Sequence, residues 1–330
     1  MRACASNWRR LLSGPICALL WLVLGVGVLR ADPPGGPQFA KSPGTASAEV
    51  IPPGVTVITF SFADTKKSQT RVGPLFARYG MHSTFYLSSG RIGHGSGYLS
   101  LADVRTLAAA GHEMASHTID HVNLERVSLE EARHQICDDR ANLMAMGLQV
   151  SSFSYPFGED TPAARQVLID CNFTNAQSTG GLRNPHSCAT CPPVETIPPL
   201  DGFRIRSPPS IKSDWTLRDL QELVLQAEAA GGGWVLISLH DICDECDTYT
   251  ISEPLLESFL AWLAPRASRG TVVLTMQEVL GGAVKPPLYA DGGTFLFDAG
   301  TSGDGEILEG GFPGAGVLDE EFPSAGMGGD

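Results

Sequence analysis

The sequence predicts an α/β fold, a parallel sheet with helices on its outer side, and three observations predict it. Short runs of β-branched and aromatic residues recur through residues 55–285. Stretches of helical periodicity separate them, which is the rhythm of strand–helix–strand units. The clearest apolar run, Trp234-Val235-Leu236-Ile237-Ser238-Leu239, reads as a strand buried on both faces, as strands of parallel sheets are. Periodicity leaves open whether the sheet stays open or closes into a barrel.

The elements follow in order. Residues 56–62 (TVITFSF) form the first strand, and a helix runs from there to Tyr79. A second strand at 83–87 precedes a helix at 101–110, and a short strand at 112–115 precedes a long amphipathic helix at 128–146. Strands at 151–155 and 173–176 continue the series. Thr216 opens a helix, with Asp219 three residues on in a capping-box arrangement. After the strand at 234–239 comes the last one, at 271–274.

Both ends of the 330-residue chain differ in composition from this middle. Arg2, Arg9 and Arg10 precede 19 uncharged residues at 11–29, the layout of a signal peptide or signal anchor and nearly long enough to span a bilayer. Residues 1–31 are therefore expected to be an export segment and 32–54 a Pro/Gly-rich linker. The globular domain is expected at 55–285. Residues 286–330 hold nine Asp or Glu and no Lys or Arg, which predicts a disordered, Gly-rich acidic tail. The protein is expected to be secreted, periplasmic or anchored in the cell envelope, with residues 11–29 available as a membrane tether. A net charge of −13 excludes a nucleic-acid partner, because phosphate binding needs clustered Lys and Arg.

In folds of this kind the chemistry gathers at the C-terminal ends of strands. The residues there are Asp64, His117 and His121, Tyr155-Pro156-Phe157-Gly158, and His240-Asp241. His117 and His121 are four apart, a spacing that shares one face of a helical turn. One carboxylate and two imidazoles that leave coordination positions open suit a divalent metal, zinc first.

These segments resemble the polysaccharide deacetylases of the NodB-homology class, carbohydrate esterase family 4, over residues 56–282. Ser61-Phe62-Ala63-Asp64-Thr65 is similar to the family's Thr-Phe-Asp-Asp-Gly, and Ser116-His117-Thr118-Ile119-Asp120-His121 to its Ser-His-Thr-x-x-His. Phe153-Ser154-Tyr155-Pro156-Phe157-Gly158 resembles the third motif in a form without Arg, and Leu239-His240-Asp241 the fifth. Asp214-Trp215 is the nearest match to the fourth. The resemblance implies a distorted (β/α) barrel with fewer units than the eightfold one. It implies that Asp64, His117 and His121 hold the metal, that His240 is the acid protonating the leaving amine, and that Tyr155, Pro156, Phe157 and Gly158 contact substrate. The implied reaction removes N-acetyl groups from N-acetylhexosamine units of cell-wall or extracellular glycans. The family's general base falls on Ala63, and Thr65 replaces its Gly, which predicts a remodelled loop and weakened activity. The alternative is an inactive, glycan-binding relative that keeps the metal.

Cys137, Cys171, Cys188, Cys191, Cys243 and Cys246 remain once Cys4 and Cys17 are assigned to the export segment. An even count in an exported domain predicts disulfides. The expected pairing is Cys137–Cys171, with the two C-x₂-C pairs closing locally or with each other. A four-thiolate zinc site is the alternative.

Overall fold

The computed structural model describes residues 51–244 and 246–291. The expected export segment, most of the linker, residues 292–330 of the tail, Cys4 and Cys17 lie outside the described residues. Among the described residues no helix is long and apolar enough to cross a membrane.

The chain alternates as its periodicity predicts. β1 (Thr56–Phe62) leads through a 3₁₀ turn to α1 (Val72–Ala77), and β2 (Thr84–Leu87) to α2 (Leu101–Ala109). β3 (Glu113–Ser116) is followed by α3 (Leu129–Arg133), a π-helical turn (His134–Asp138) and α4 (Asp139–Ala145), so the long helix expected at 128–146 is present with a wide turn in its middle. β4 (Ser152–Ser154), α5 (Pro162–Asp170), β5 (Asn175–Gly181) and β6 (Ile205–Ser207) come next. Then follow α6 (Leu217–Ala229), β7 (Gly233–Leu239), the short pair β8 (Asp241–Ile242) and β9 (Thr250–Ile251), α7 (Glu253–Leu263), β10 (Thr271–Val273) and α8 (Met276–Leu280). The capping box at Thr216 and Asp219 forms in full, and similar boxes start α2 at Ser100 and α8 at Thr275. Each supplies acceptors for two otherwise unpaired N–H groups of a helix start.

The strands make one parallel sheet in the order β7-β1-β2-β3-β4-β5-β6, with β10 beside the first half of β1. It curls until it is nearly closed into a barrel. β1 is buried along its whole length because both of its faces are covered. One face, with Ile58, Phe60 and Phe62, packs under the helices against Phe76, Phe85 and Phe259. The other face turns Val57 inward against Tyr86, Trp234 and Leu236. This even/odd division follows from the two-residue side-chain period of a strand.

Two sequence expectations are corrected here. His117 and His121 do not lie on a helical turn. They flank a loop in which Thr118 and His121 take left-handed backbone angles (φ 65° and 61°), and no helix begins before Leu129. Residues 286–291 are not part of a free tail. The buried Arg140 guanidinium donates to the carbonyls of Lys285 and Pro286, and Ala290 N–H donates to Asp138. A buried guanidinium needs acceptors on several sides, and residues 285–286 supply two of them.

Candidate metal centre and active-site cavity

The strand ends converge on a cavity of about 380 Å³. Asp64 leaves β1 with φ 73° and Thr65 follows with φ 59°, a pair of left-handed residues that costs a β-branched side chain energy. Thr65 recovers a contact that glycine would lack: its hydroxyl, fully buried, accepts from Ser88 N–H at 2.9 Å. The buried Gln69 amide donates to the carbonyls of Ala63 and His240 and ties the loop to β7.

His117 comes directly off β3. Its N–H donates to Leu87 O and to the Asp139 carboxylate, which also receives Ser116 Oγ and Ser89 N–H. Burial of Asp139 pushes its carboxyl up to about 6, against the pull of those hydrogen bonds. The His117 ring donates from Nδ1 to Ser154 O at 2.7 Å, so its Nε2 carries a lone pair. That nitrogen lies 3.6 Å from Asp64 Oδ1, and His121 Nε2 lies 3.0 Å from the same oxygen. One ligand atom from each of the three residues falls within 4.8 Å of the others.

The trio fits a divalent cation. Asp64 Oδ1 is buried with no hydrogen-bond partner, although two imidazole nitrogens face it. Burial alone would raise the Asp64 carboxyl, but the His117 and His121 rings outweigh it and hold it well below the usual carboxylate range. Burial keeps His117 below the ordinary imidazole range, in opposition to Asp64. A buried carboxylate oxygen facing two imidazole nitrogens is a ligand set, and His117 Nδ1–H on a carbonyl is the orienting contact such ligands receive.

His240 lines the same cavity from the end of β7. Burial lowers it, Asp64 partly opposing, and its Nδ1 has no partner. Ala63 lies beside it, since Ala63 N–H donates to Leu239 O. Among the described residues no other carboxylate lines the cavity at the position of Ala63. Asp241 is held by Ser68 Oγ at 2.6 Å and Lys66 at 3.4 Å, and Asp247 sits on the exposed rim.

Of the expected substrate contacts, Tyr155, Phe157 and Gly158 line the cavity, whereas Pro156 is buried behind it and does not. Phe157 is 63% exposed and packs edge-on against His121. Asp214 is exposed and away from the cavity, while Trp215 is buried and stacks on His186. Residue reading missed Lys66, Tyr86, Gln177, Lys212 and Tyr249, which also line the cavity. Tyr86 falls within the second expected strand, whereas Gln177 lies one residue past the strand expected at 173–176, and nothing in their spacing marked them as lining the cavity.

The described cysteines form three disulfides, Cys137–Cys171, Cys188–Cys191 and Cys243–Cys246. The C-x₂-C pairs close locally, so they do not share a zinc site. The Cys243–Cys246 loop carries Asp247 and Tyr249 to the cavity rim.

Comparison with known proteins agrees with this geometry. Residues 51–176 match the family model described as polysaccharide deacetylase. The candidate polysaccharide deacetylase YxkH of Bacillus subtilis (strain 168) is 29% identical over 103 residues, which are 31% of this chain and 36% of that protein. The matched segment thus spans about a third of the curated relative. A crystal structure of a candidate polysaccharide deacetylase from Mycobacterium smegmatis superposes with a TM-score of 0.50 at 16% identity, covering 72% of this chain and 93% of that one. The Bc1960 peptidoglycan N-acetylglucosamine deacetylase gives a TM-score of 0.48 at 15% identity, over 71% and 92%. The barrel is of the NodB type, and residues 51–176, the part that supplies Asp64, His117 and His121, match the polysaccharide deacetylase family model.

Proposed function

We propose that the protein is a metal-dependent hydrolase that removes N-acyl groups, acetyl in the family's reaction, from hexosamine units of cell-wall or extracellular glycans. The observation that carries this reading is the unpartnered Asp64 Oδ1 facing two imidazole nitrogens inside a cavity that also holds His240. Asp64, His117 and His121 would hold the ion, with zinc the first choice for such a donor set. A divalent ion seated there supplies electrophilic polarisation of the acyl carbonyl and acidifies the attacking water.

The chain's own residues do the rest. Phe157 and Tyr249 offer aromatic faces on the two sides of the mouth, where a sugar ring can stack. His240 protonates the leaving nitrogen as the C–N bond breaks. Position 63 has no carboxylate to take the proton of the attacking water, and a positioned base is worth about 10²–10⁴-fold in rate. Slow hydrolysis is therefore expected. Ala63 also favours a second reading, a glycan-binding relative without turnover. Three disulfides support an exported, extracytoplasmic protein.

Metal analysis after mild dialysis, paired with acetate release from chitooligosaccharide and peptidoglycan, tests the proposal. Wild type should retain about one ion per chain and His117→Ala should lose it. Equal, low metal content in both would refute the site. Retained metal and glycan affinity without acetate release would leave only the binding reading.

A further inference from the structure

The described domain is acidic, but its cavity carries two lysines. Residues 51–291 hold 18 Lys or Arg against 26 Asp or Glu, and only four positions there are lysine. Two of those four, Lys66 and Lys212, line the cavity that contains Asp64, His117 and His240. Lys66 directly follows the left-handed pair Asp64-Thr65, and Lys212 comes from the loop between β6 and α6. Both ammonium groups stand on the His240 flank of the opening. The Lys66 charge is one of those that lower the His240 imidazole, and its Nζ lies 3.4 Å from Asp241, the residue after His240. The Tyr249 ring lies 5.4 Å from the His240 ring, and Lys212 Nζ lies 5.6 Å from the centre of that same tyrosine. Phe157 belongs instead to the His121 side, where it packs on that ring.

Neither ammonium is used up by the fold. A charge-assisted hydrogen bond spans about 2.7–2.9 Å, so at 3.4 Å Asp241 leaves the Lys66 donors largely unspent. The other Asp241 oxygen is held by Ser68 Oγ at 2.6 Å. Lys212 is exposed and enters no ion pair among the described residues, and its contact with the Tyr249 ring is a weak one at an exposed site. The remaining acids of the cavity do not answer these charges. Asp64 belongs to the trio, and Asp247 Oδ1 accepts Thr248 N–H within its own loop. A lysine has three donors and no acceptor, so what two of them recognise is anionic oxygen.

A hexosamine whose amide nitrogen meets His240 turns the ring substituents next to that nitrogen, and the sugar linked beside them, toward this flank. We propose that Lys66 and Lys212 determine specificity by taking a carboxylate within one sugar unit of the amide, so that acidic N-acetylated glycans are bound in preference to neutral ones. The inference rests on the deacylase reading of the cavity and names its substrate class. Two carriers share this chemistry, an ether-linked acid on the hexosamine itself, as in muramic acid, and a uronic acid next to it. The acidic body of the domain repels either polymer at a distance. The attraction is therefore local to the two lysines, and salt weakens it.

The experiment gives the zinc-loaded wild-type chain three tetrasaccharides. One is neutral chitotetraose, one alternates N-acetylglucosamine with N-acetylmuramic acid, and one alternates N-acetylglucosamine with glucuronic acid. Affinity is read by calorimetry and turnover by acetate release, at about 0.05 M and about 0.5 M salt. At low salt at least one acidic ligand should bind about tenfold more tightly than chitotetraose, and high salt should reduce that preference to about threefold or less. Preference for the muramic ligand places the carboxylate on the hexosamine, and preference for the glucuronic one places it on the neighbouring sugar. Lys212→Met, at an exposed position, should lower the preference about threefold. Adding Lys66→Met should bring acidic and neutral ligands within about twofold by weakening the acidic ones. Lys212→Arg, which keeps the charge, should retain most of the preference. No preference in wild type, or one that survives the double substitution, would overturn the inference while acetate release from chitotetraose still stood for the deacylase reading. Binding of none of the three, with no turnover, would refute both together.

Discussion

Substituting Ala63→Asp returns a carboxylate to the place where the mechanism lacks one. The β1 register puts that side chain between His240 and Tyr86 at the cavity mouth, within reach of a water attacking at the trio. A gain of up to about 10²–10⁴-fold in acetate release is expected, equivalent to about 3–5 kcal/mol of barrier. The same substitution has a cost. Two carboxylates about 5 Å apart repel by about 3 kcal/mol at an effective dielectric of about 20. Asp64 is the second of them, so the metal-free variant should be less stable than wild type and should recover when zinc is added. The assay is acetate release by wild type, Ala63→Asp and His240→Ala on one chitooligosaccharide, with thermal denaturation of each with and without zinc. A metal-loaded, folded Ala63→Asp that is no faster than wild type would refute the assignment of position 63. Wild-type turnover that survives His240→Ala would refute the assignment of the acid.

Two further outcomes follow from the fold. His112 is buried, accepts Ser83 N–H at its Nδ1, and is lowered to about 4 by burial and by His82. Its folded value lies below the ordinary 6.5, so its contribution to stability is full above about 6.5 and is lost as pH falls toward 4. Urea titrations should show that loss, at most about 3 kcal/mol, and His112→Gln should flatten it; an unchanged pH slope would count against a neutral buried imidazole. Cys137–Cys171 joins the π-helical turn to the end of α5 across 34 residues. Replacing both cysteines with serine should lower stability by about 2–5 kcal/mol in thermal melts, and no change would show that the bridge does not form in the native protein.

The periodic parts of the fold were legible because burial imposes them. β1, β2 and β7 announce themselves as apolar runs, and the Thr216 box starts α6 where its side-chain chemistry says it should. β6, β8 and β9 were not foreseen, being two or three residues long with no alternation to read. α5 and α7 were also passed over, although Thr161-Pro162 and Ser252 with Pro254 are good helix starts. At the site, motif order brought Asp64, His117, His121 and His240 to one cavity, but the reason given for the His pair was wrong. Spacing of four suggested a helix, whereas the two rings meet because left-handed residues at Thr118 and His121 fold the loop back. Thr65 was expected to mark a remodelled loop. Its buried hydroxyl on Ser88 N–H shows how threonine holds a left-handed position there. The polar lining residues Ser61, Tyr86, Gln177 and Ser238 escaped reading because at inward positions they look like ordinary strand residues.

The direction of β1 has a practical consequence for handling the protein. Residues 51–55 enter at the N-terminal ends of the strands, where Gly233 N–H donates to Val55 O. Asp64 opens the cavity at the other end of that seven-residue strand. At about 3.3 Å per residue the two ends stand about 20 Å apart. A tag, fusion partner or solid support joined upstream of Ile51 therefore begins behind the barrel and leaves the opening facing bulk solvent. A label placed on the Cys243–Cys246 loop would sit across that opening instead, so capture through the N-terminal side is the orientation in which an immobilised chain can still meet a large, insoluble glycan.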